Sequence, residues 1–268
     1  FWITACSPGG PLELDSKWLM EVDKGGSFRL LTDGKVGFET PGDFALGRFD
    51  EAVEMSLGMW RFERSNEERV VFGELASAEV KDGVAILKYT ADTGATALLT
   101  VKPEGESVSF SLSSEADSNS YVLPIRCDED GSFHGFGEQY NATEQTGEAF
   151  TLLVSEQGIG REGTVWSFSG NEHTTYFPMP WYLDARGFGV LLESDYRVEA
   201  DICASDSQRA ELEVVGDTAL RWRVFAGPTP KDVIRQLGDH VGRPTAPPDW
   251  AFLPWMCTQG GPDAVLTL

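Results

Sequence analysis

Short stretches of alternating apolar and polar residues dominate the chain between residues 18 and 225. The clearest are residues 107–113 and residues 220–224, where Arg221 and Arg223 are expected to face solvent on the side opposite the core. Period-two alternation is typical of β-strands that bury one face. Further strands are predicted at 70–72, 84–87, 97–101, 189–192 and 211–214.

Glycine-containing pairs separate these stretches and mark turns between strands. Asp-Gly pairs favour tight β-hairpin turns, because both residues tolerate positive φ angles. Many short strands joined by such turns predict a mainly β protein built as a large β-sandwich. The pairs are Asp33-Gly34, Asp82-Gly83, Thr93-Gly94, Asp130-Gly131 and Gly216-Asp217.

Only the segment after Thr229 has a helical pattern. Thr229 is a suitable N-cap, and Pro230 fits the first helical position, where its missing N–H costs nothing. Gly242 suits a left-handed C-terminal cap, and Pro244 prevents the helix from continuing. The apolar face of this predicted helix consists of Val233, Ile234, Leu237 and Val241.

The junction that follows this helix resembles a known family. Residues 227–234 read Gly-Pro-Thr-Pro-Lys-Asp-Val-Ile, residues 242–244 read Gly-Arg-Pro, and residues 247–251 read Pro-Pro-Asp-Trp-Ala. This series is similar to the junction in glycoside hydrolase family 31, which contains α-glucosidases, α-xylosidases and sulfoquinovosidases. The resemblance implies that a galactose-mutarotase-like super-sandwich leads here, through a linker helix, into a (β/α)₈ catalytic barrel.

This resemblance also implies boundaries along the chain. Residues 13–227 are expected to form the β-sandwich, and 228–247 the linker helix and proline-rich junction. Residues 248–268 are then the start of an incomplete barrel, with the stretch 250–261 resembling its first strand, since a complete barrel needs roughly 250 residues. Residues 1–12 are interpreted separately, from the start of the chain, as a signal or lipoprotein tail and tether.

Candidate sugar-binding residues follow from the same resemblance. The string Glu-Gln-Gly-Ile-Gly-Arg at 156–161 resembles a loop of the sulfoquinovosidase branch, in which the sandwich reaches over the barrel mouth. This implies a substrate-binding role for Glu156, Gln157 and Arg161. Gln259, in a Gln-Gly-Gly string after the first barrel strand, is expected to line the same pocket. From the residues alone, 155–161 is equally a surface loop with ordinary turn glycines.

An aromatic and proline-rich segment at 176–182 is similar to the same branch. Its aromatic side chains are expected to pack at a domain interface rather than to stack on a sugar.

No catalytic residue is expected within this chain. Retaining hydrolysis of a glycoside uses two carboxyl groups about 5 Å apart. The resemblance places both catalytic aspartates on later barrel strands, after Leu268. The chain alone is therefore expected to be inactive, as the N-terminal part of a retaining hydrolase of α-glucosides, α-xylosides or α-sulfoquinovosides. No cofactor and no metal are implied.

Two other functions fit parts of the pattern. A mutarotase-like sugar epimerase would use a histidine and a glutamate as acid and base, and His134 or His173 could supply the histidine. A non-catalytic carbohydrate-binding module would need exposed aromatic side chains on one face, which the eight tryptophans permit. The capped helix and the Pro-Pro-Asp-Trp-Ala string have no purpose in a free-standing epimerase.

The net charge of the chain narrows the classes of partner that it can bind. The chain carries 43 acidic and 21 basic residues, a formal charge of −22, which argues against nucleic acid and anionic membrane surfaces as partners. No run of 18 apolar residues predicts a membrane span.

The spacing of Cys6, Cys127, Cys203 and Cys257 excludes a Cys-x-x-Cys pair. We predict that all four are unpaired, and that Cys127 and Cys203 are small core residues.

The start of the chain, Ile3-Thr4-Ala5-Cys6, resembles the end of a bacterial lipoprotein signal. That resemblance implies lipidation of Cys6 and a periplasmic or extracellular location. A chance match would imply a cytoplasmic protein instead.

Overall fold

The computed structural model of the chain describes residues 9–158, 170–255 and 261–267. Antiparallel strands make up most of these residues. The first nine strands are β1 Gly10–Glu13, β2 Trp18–Val22, β3 Phe28–Thr32, β4 Lys35–Thr40, β5 Phe44–Ser56, β6 Met59–Phe72, β7 Glu74–Lys81, β8 Val84–Thr90 and β9 Thr96–Glu104. They are followed by β10 Ser107–Ser114, β11 Ser120–Arg126, β12 Phe133–Gly137, β13 Glu148–Leu152, β14 Pro178–Asp184, β15 Phe188–Leu192, β16 Arg197–Asp206, β17 Arg209–Val215 and β18 Leu220–Ala226.

The strands form three sheets. Strands β1 to β4 make a four-stranded meander in sequence order. The eight-stranded sheet has the order β12-β14-β15-β18-β10-β9-β8-β7, and the six-stranded sheet has the order β13-β16-β17-β11-β5-β6. This architecture confirms the predicted β-sandwich, and each of the seven stretches predicted as strands lies within a strand.

The core lies where the three sheets meet. Phe110 and Trp222 are register partners on β10 and β18, and their rings stack with centroids 4.8 Å apart. Phe44 of the six-stranded sheet packs on the same indole at 5.9 Å, and Phe38 of the meander packs on it at 6.5 Å. Because each of these rings removes a large apolar area from water, this cluster contributes heavily to stability.

One arginine expected to face solvent is instead buried. Arg223 lies on the face of β18 opposite Trp222, as the alternation predicts, but its side chain is only 8% exposed. Two carboxylates cover it, with Glu193 at 2.8 Å and Glu104 at 2.9 Å from the guanidinium nitrogens. These charges and hydrogen bonds outweigh burial, which by itself would lower the pKa, and raise the pKa of Arg223.

Helix α1, Pro230–Val241, confirms the predicted helix and its caps. The backbone N–H of Asp232 donates to Thr229 Oγ1 at 3.3 Å, so Thr229 caps the first turn. Gly242 follows with φ 92°, a left-handed conformation that suits glycine.

The apolar face predicted for α1 is partly wrong. Val233 and Leu237 are buried against Trp181 and Phe225, whereas Ile234 is exposed. Val241 is exposed as well. Gln236 takes the remaining buried place, because its amide donates to the carbonyl of Ala226 at 3.0 Å. No helix within the described ranges is both long and apolar enough to cross a membrane.

The chain divides into two compact units, Phe1–Leu237 and Gly238–Leu268. In the second unit, Asp249–Phe252 forms one turn of 3₁₀ helix, and Gly261–Val265 forms the short helix α2. The prediction of a strand that begins at residue 250 is therefore wrong for residues 250–252. A strand needs a neighbour for its backbone hydrogen bonds, and no described residue pairs with these three.

The prediction that all four cysteines are unpaired is also wrong. Cys127, just after β11, and Cys203, within β16, form a disulfide with their Cα atoms 6.4 Å apart. Both residues are buried, as predicted. Since 76 positions separate them, the pairing depends on the arrangement of the strands and leaves no local sequence signal.

Candidate functional site

The hairpin of β5 and β6 reaches the start of the predicted sugar-binding loop. Its turn consists of Leu57 and Gly58, both with positive φ (52° and 82°), as expected for a tight hairpin. The carbonyl oxygen of Gly58 accepts hydrogen bonds from the backbone N–H of Glu156 at 2.8 Å and from Ser155 Oγ at 3.1 Å. The tip of the hairpin therefore fixes the first residues of the loop.

The segment before β14 holds the other side of this loop. The N–H of Ser155 donates to the carbonyl of Thr175 at 3.0 Å, and Gly158 donates to Thr174 at 3.4 Å. Val154 and Thr175 form a parallel β-bridge. These contacts orient the backbone of 154–158 from two directions, so the side chains of the loop project from a fixed frame.

Glu156 is bound by a tyrosine on that neighbouring segment. The hydroxyl of Tyr176 donates to Glu156 Oε1 at 2.6 Å. This hydrogen bond, together with partial loss of solvent and the carboxylate charge, raises the pKa of Tyr176. The second oxygen of Glu156 has no hydrogen-bond partner among the described residues, so it can accept from a ligand.

Gln157 is held in a similar way. The hydroxyl of Tyr140 donates to Gln157 Oε1 at 2.5 Å, which leaves the amide Nε2 without an acceptor among the described residues. Loss of solvent and the neighbouring Glu138 carboxylate raise the pKa of Tyr140. Gln157 can therefore donate to a ligand while its oxygen stays engaged.

Strand β12 ends in a close approach that positions Glu138. Gly137 has φ 89°, and a Cβ at this position would overlap the carbonyl oxygen of Phe177. That carbonyl accepts from the N–H of Glu138 at 3.0 Å, and Thr175 Oγ1 donates to the Glu138 carboxylate at 3.3 Å. Only glycine fits here without a shift of the backbone.

We call Glu138, Tyr140, Glu156, Gln157 and Tyr176 the tyrosine–carboxylate cluster. Carboxylate oxygens accept hydrogen bonds, and an amide both donates and accepts, so the cluster can bind several hydroxyl groups at once. None of the five side chains is cationic. An anionic ligand group would need a positive charge from elsewhere.

Only some of the predicted site residues lie among the residues that the structure describes. Glu156 and Gln157 lie together in the cluster. Arg161, Gln259 and Cys6 fall outside the described residues. In the aromatic segment, Tyr176 and Phe177 are exposed, whereas Trp181 is buried against Phe225.

Comparisons of sequence and of fold with known proteins both find α-glycosidases. The chain is 26% identical to a sulfoquinovosidase of Agrobacterium fabrum over 78% of its own length and 32% of that protein. It is 26% identical to the α-xylosidase XylQ of Lactiplantibacillus pentosus over 48% of its length and 15% of that protein. A solved family 31 sulfoquinovosidase from E. rectale has the same fold, with a TM-score of 0.70 and 17% identity over 86% of this chain and 35% of that one.

The curated relatives and the shared fold together support an N-terminal portion of a glycoside hydrolase family 31 protein. No family model matches it. The chain spans at most about a third of the length of these relatives.

The two histidines considered for an epimerase differ in their contacts. His134 is engaged on both nitrogens, with Nδ1 3.0 Å from the carbonyl of Thr143 and Nε2 2.9 Å from Ser132 Oγ. Because a carbonyl only accepts, Nδ1 carries the proton and Nε2 accepts from the serine. This leaves His134 no free nitrogen for acid–base work on a sugar.

His173 is not engaged on both nitrogens. It stacks on Phe150 with centroids 5.3 Å apart, and its Nε2 lies 3.4 Å from Glu148.

The sequence analysis missed the β5–β6 hairpin as part of the site. Its outer half is largely exposed on both faces, so the alternation of apolar and polar residues there is weak. A usable signal was the Leu57-Gly58 pair between two stretches rich in charged and aromatic residues.

Proposed function

We propose that the chain is part of a retaining hydrolase that cleaves α-glucosides, α-xylosides or α-sulfoquinovosides in carbohydrate metabolism. The observation that carries the proposal is the tyrosine–carboxylate cluster. In it, Glu156 and Gln157 are held by tyrosine hydroxyls with one hydrogen-bonding group each left for a ligand. The names of the relatives, sulfoquinovosidase and α-xylosidase, support the same class of reaction.

The sandwich supplies one wall of a sugar pocket in this proposal. Glu156, Gln157 and Arg161 are the sugar-binding residues of the loop in this proposal, and Gln259 is a further sugar-binding residue. The catalytic aspartates follow Leu268, on later strands of the barrel, since active sites of such barrels form at the carboxyl ends of their strands. The nucleophile and the acid/base are therefore absent from this chain.

Arg161 decides between neutral and anionic substrates. Its guanidinium can clamp a sulfonate through two parallel hydrogen bonds, or it can hold the loop through its acidic neighbours Glu156 and Glu162. The first role selects a sulfoquinovoside, whereas the second leaves the sugar unspecified.

We also propose a location outside the cytoplasm. The Cys127–Cys203 disulfide supports it, because structural disulfides persist mainly in oxidising compartments. Lipidation of Cys6 would anchor the protein to a membrane surface, and a secreted or periplasmic protein without an anchor fits the disulfide equally well.

The test uses a longer protein that contains this chain together with its barrel. It should hydrolyse at least one aryl α-glycoside among the glucoside, xyloside and sulfoquinovoside, whereas the 268-residue chain alone should hydrolyse none. Hydrolysis by the short chain, or by no form of the long one, would contradict the proposal.

Single substitutions then test the pocket. Gln259→Ala and Glu156→Gln should each lower kcat/KM by about ten- to a hundredfold without unfolding the protein, because a buried hydrogen bond to a sugar hydroxyl is lost. The control Glu129→Gln changes an exposed carboxylate outside the cluster and should leave kcat/KM unaltered.

Arg161→Lys separates the two roles of that residue. A clamp should lose activity on the sulfoquinovoside alone, because lysine cannot reproduce the bidentate geometry. An equal loss on neutral and anionic substrates would assign Arg161 to the loop.

A further inference from the structure

A second pocket lies between the β5–β6 hairpin and β13. It has a volume of about 280 Å³, and its lining includes Ser155, which directly precedes Glu156 of the tyrosine–carboxylate cluster. Ligand sites for drug-sized molecules begin at roughly 300 Å³, so this pocket suits a smaller ligand. We call it the hairpin pocket.

One wall of the hairpin pocket consists of aromatic rings from β6. Trp60 and Phe62 lie on the same face of the strand, with ring planes 10° apart and centroids 6.4 Å apart. The indole of Trp60 is 41% exposed, yet its Nε1 donates to the carbonyl of Val154 at 3.0 Å, which fixes its orientation. A fixed and exposed aromatic ring offers a flat apolar surface without a large entropy cost on binding.

The opposite wall combines a second ring pair with polar groups. Phe150 and His173 stack with planes 21° apart, and both line the pocket. The Nδ1 atom of His173 is buried and has no hydrogen-bond partner among the described residues. Asn171 accepts from the N–H of His173 at 2.9 Å, while its own side-chain N–H groups bind no described residue. Unsatisfied buried polar atoms are rare in folded proteins, so the unpaired Nδ1 of His173 indicates that a polar ligand completes the wall. The side chain of Asn171 is exposed, so its amide can donate to such a ligand.

Charge around the pocket selects against anions. Glu148 and Glu172 lie 3.4 and 3.9 Å from His173 Nε2. The guanidinium of Arg197, which sits over the Phe62 ring at 3.6 Å, is already bound by Glu51 and by Glu199. No uncompensated cation therefore lies near the described pocket residues, and a sulfonate or phosphate would meet repulsion.

We propose that the hairpin pocket binds one neutral sugar ring. The apolar C–H face of the sugar packs on Trp60 and Phe62, and its hydroxyls bond to Asn171 and to His173 Nδ1. Such a site would hold a sugar unit of a longer substrate or of a polysaccharide near the enzyme. Binding here requires no catalytic residue, so it is independent of the proposed hydrolase reaction.

The experiment measures binding of methyl α-glucoside and methyl α-xyloside to the 268-residue chain, by titration in ¹⁵N-resolved NMR spectra. Perturbed signals should include the indole N–H of Trp60 and the side-chain amide of Asn171. Methyl α-glucuronide, a carboxylated analogue, should bind at least about tenfold more weakly because of the surrounding carboxylates.

Variants locate the site. Trp60→Ala should weaken binding by about tenfold, since one aromatic contact is lost, and Asn171→Ala should weaken it as well. Tyr196→Ala removes an exposed aromatic ring that does not line the pocket and should leave binding unchanged.

Circular dichroism of each variant checks that it is folded. If Trp60→Ala unfolds the chain, Trp60→Gln serves in its place. Absence of binding by the unaltered chain, equal binding of the glucuronide, or unaltered binding by folded Trp60 and Asn171 variants would each overturn the proposal. Because these measurements involve no hydrolysis, their failure leaves the proposed hydrolase function untouched, and failure of hydrolysis leaves this site untouched.

Discussion

The backbone carbonyl of Gly58 and the N–H of Glu156 are joined by a 2.8 Å hydrogen bond, although the two residues belong to distant parts of the sequence. The bond ties the tip of the β5–β6 hairpin to the loop that carries Glu156 and Gln157. The same hairpin forms one wall of the hairpin pocket. A change at the turn should therefore affect both the cluster and the pocket.

Gly58→Ala should destabilise the chain by about 1–2 kcal/mol, the typical cost of a left-handed conformation for a residue with a Cβ. The new Cβ would lie 3.5 Å from the Cβ of Glu156, an ordinary contact, so strain at φ 82° is the main cause. The measurement is the free energy of unfolding in urea. Gly73→Ala is the control, because Gly73 has open space around it and no positive φ, and it should change the stability little.

Glu156→Gln should lower the pKa of Tyr176 toward the ordinary value for tyrosine. The hydrogen bond to Glu156 is the main cause of the raised pKa, because it binds the neutral phenol and the carboxylate opposes formation of the phenolate. A titration of the tyrosine ring signals by NMR measures the effect. An unchanged Tyr176 pKa in the variant would show that the two side chains are not bonded in solution.

Local patterns were enough to predict most of the sandwich, but not the contacts between distant segments. Residues 107–113 and 220–224 were recognisable because the strands β10 and β18 bury one face against the core. The Tyr176–Glu156 bond and the burial of Arg223 depend on which strands become neighbours, and no spacing in the sequence encodes that. The strand predicted from residue 250 is wrong at residues 250–252, because apolar composition alone does not supply a pairing partner.

Removal of the disulfide should cost about 2–4 kcal/mol, the usual range for a native bridge. The double variant Cys127→Ala with Cys203→Ala should unfold at a lower urea concentration than the oxidised chain. Addition of a reductant should shift the original chain to the same midpoint and leave the double variant unchanged. Identical midpoints for the oxidised chain and the double variant would contradict the assigned bridge.

Asp184→Asn should be strongly destabilising, by about 3–5 kcal/mol, because it breaks a buried ion pair and leaves a guanidinium without its main partner. Asp184 is fully buried and accepts from Arg186 Nε at 2.8 Å and Nη2 at 2.7 Å. Asp128 also contacts Arg186 and retains part of the interaction.

The control for that variant is Asp117→Asn, whose partner Arg48 lies 3.2 Å away on the surface. Asp117 is 89% exposed, so its loss should cost at most about 1 kcal/mol. Comparable losses for the buried and the exposed pair would show that burial does not govern these interactions.

Stability should fall as the pH drops below about 4.3, the ordinary pKa of glutamate. Burial alone would raise the pKa of Glu211, but hydrogen bonds and charges from Arg69 and Arg209 lower it. A carboxyl with a lowered pKa in the folded state stabilises the protein above its unfolded pKa, and this contribution is lost as the pH falls through the folded pKa. Unfolding free energies from pH 7 to 3 measure the loss.

Glu211→Gln should make that pH dependence shallower, because the amide does not titrate. The control Glu67→Gln changes an exposed residue of β6 and should leave the slope as it is in the original chain. A slope unchanged by Glu211→Gln would remove Glu211 as a source of acid sensitivity.

The bridge between Cys127 and Cys203 encloses the whole stretch that contains Tyr140, Glu156 and Tyr176. A protease that cuts the backbone once inside this covalent ring produces two fragments that remain attached to each other. Such a nicked protein migrates as one species without reductant and as two with it. The loop that carries Glu156 and Gln157 can therefore be cleaved without release of either half of the sandwich.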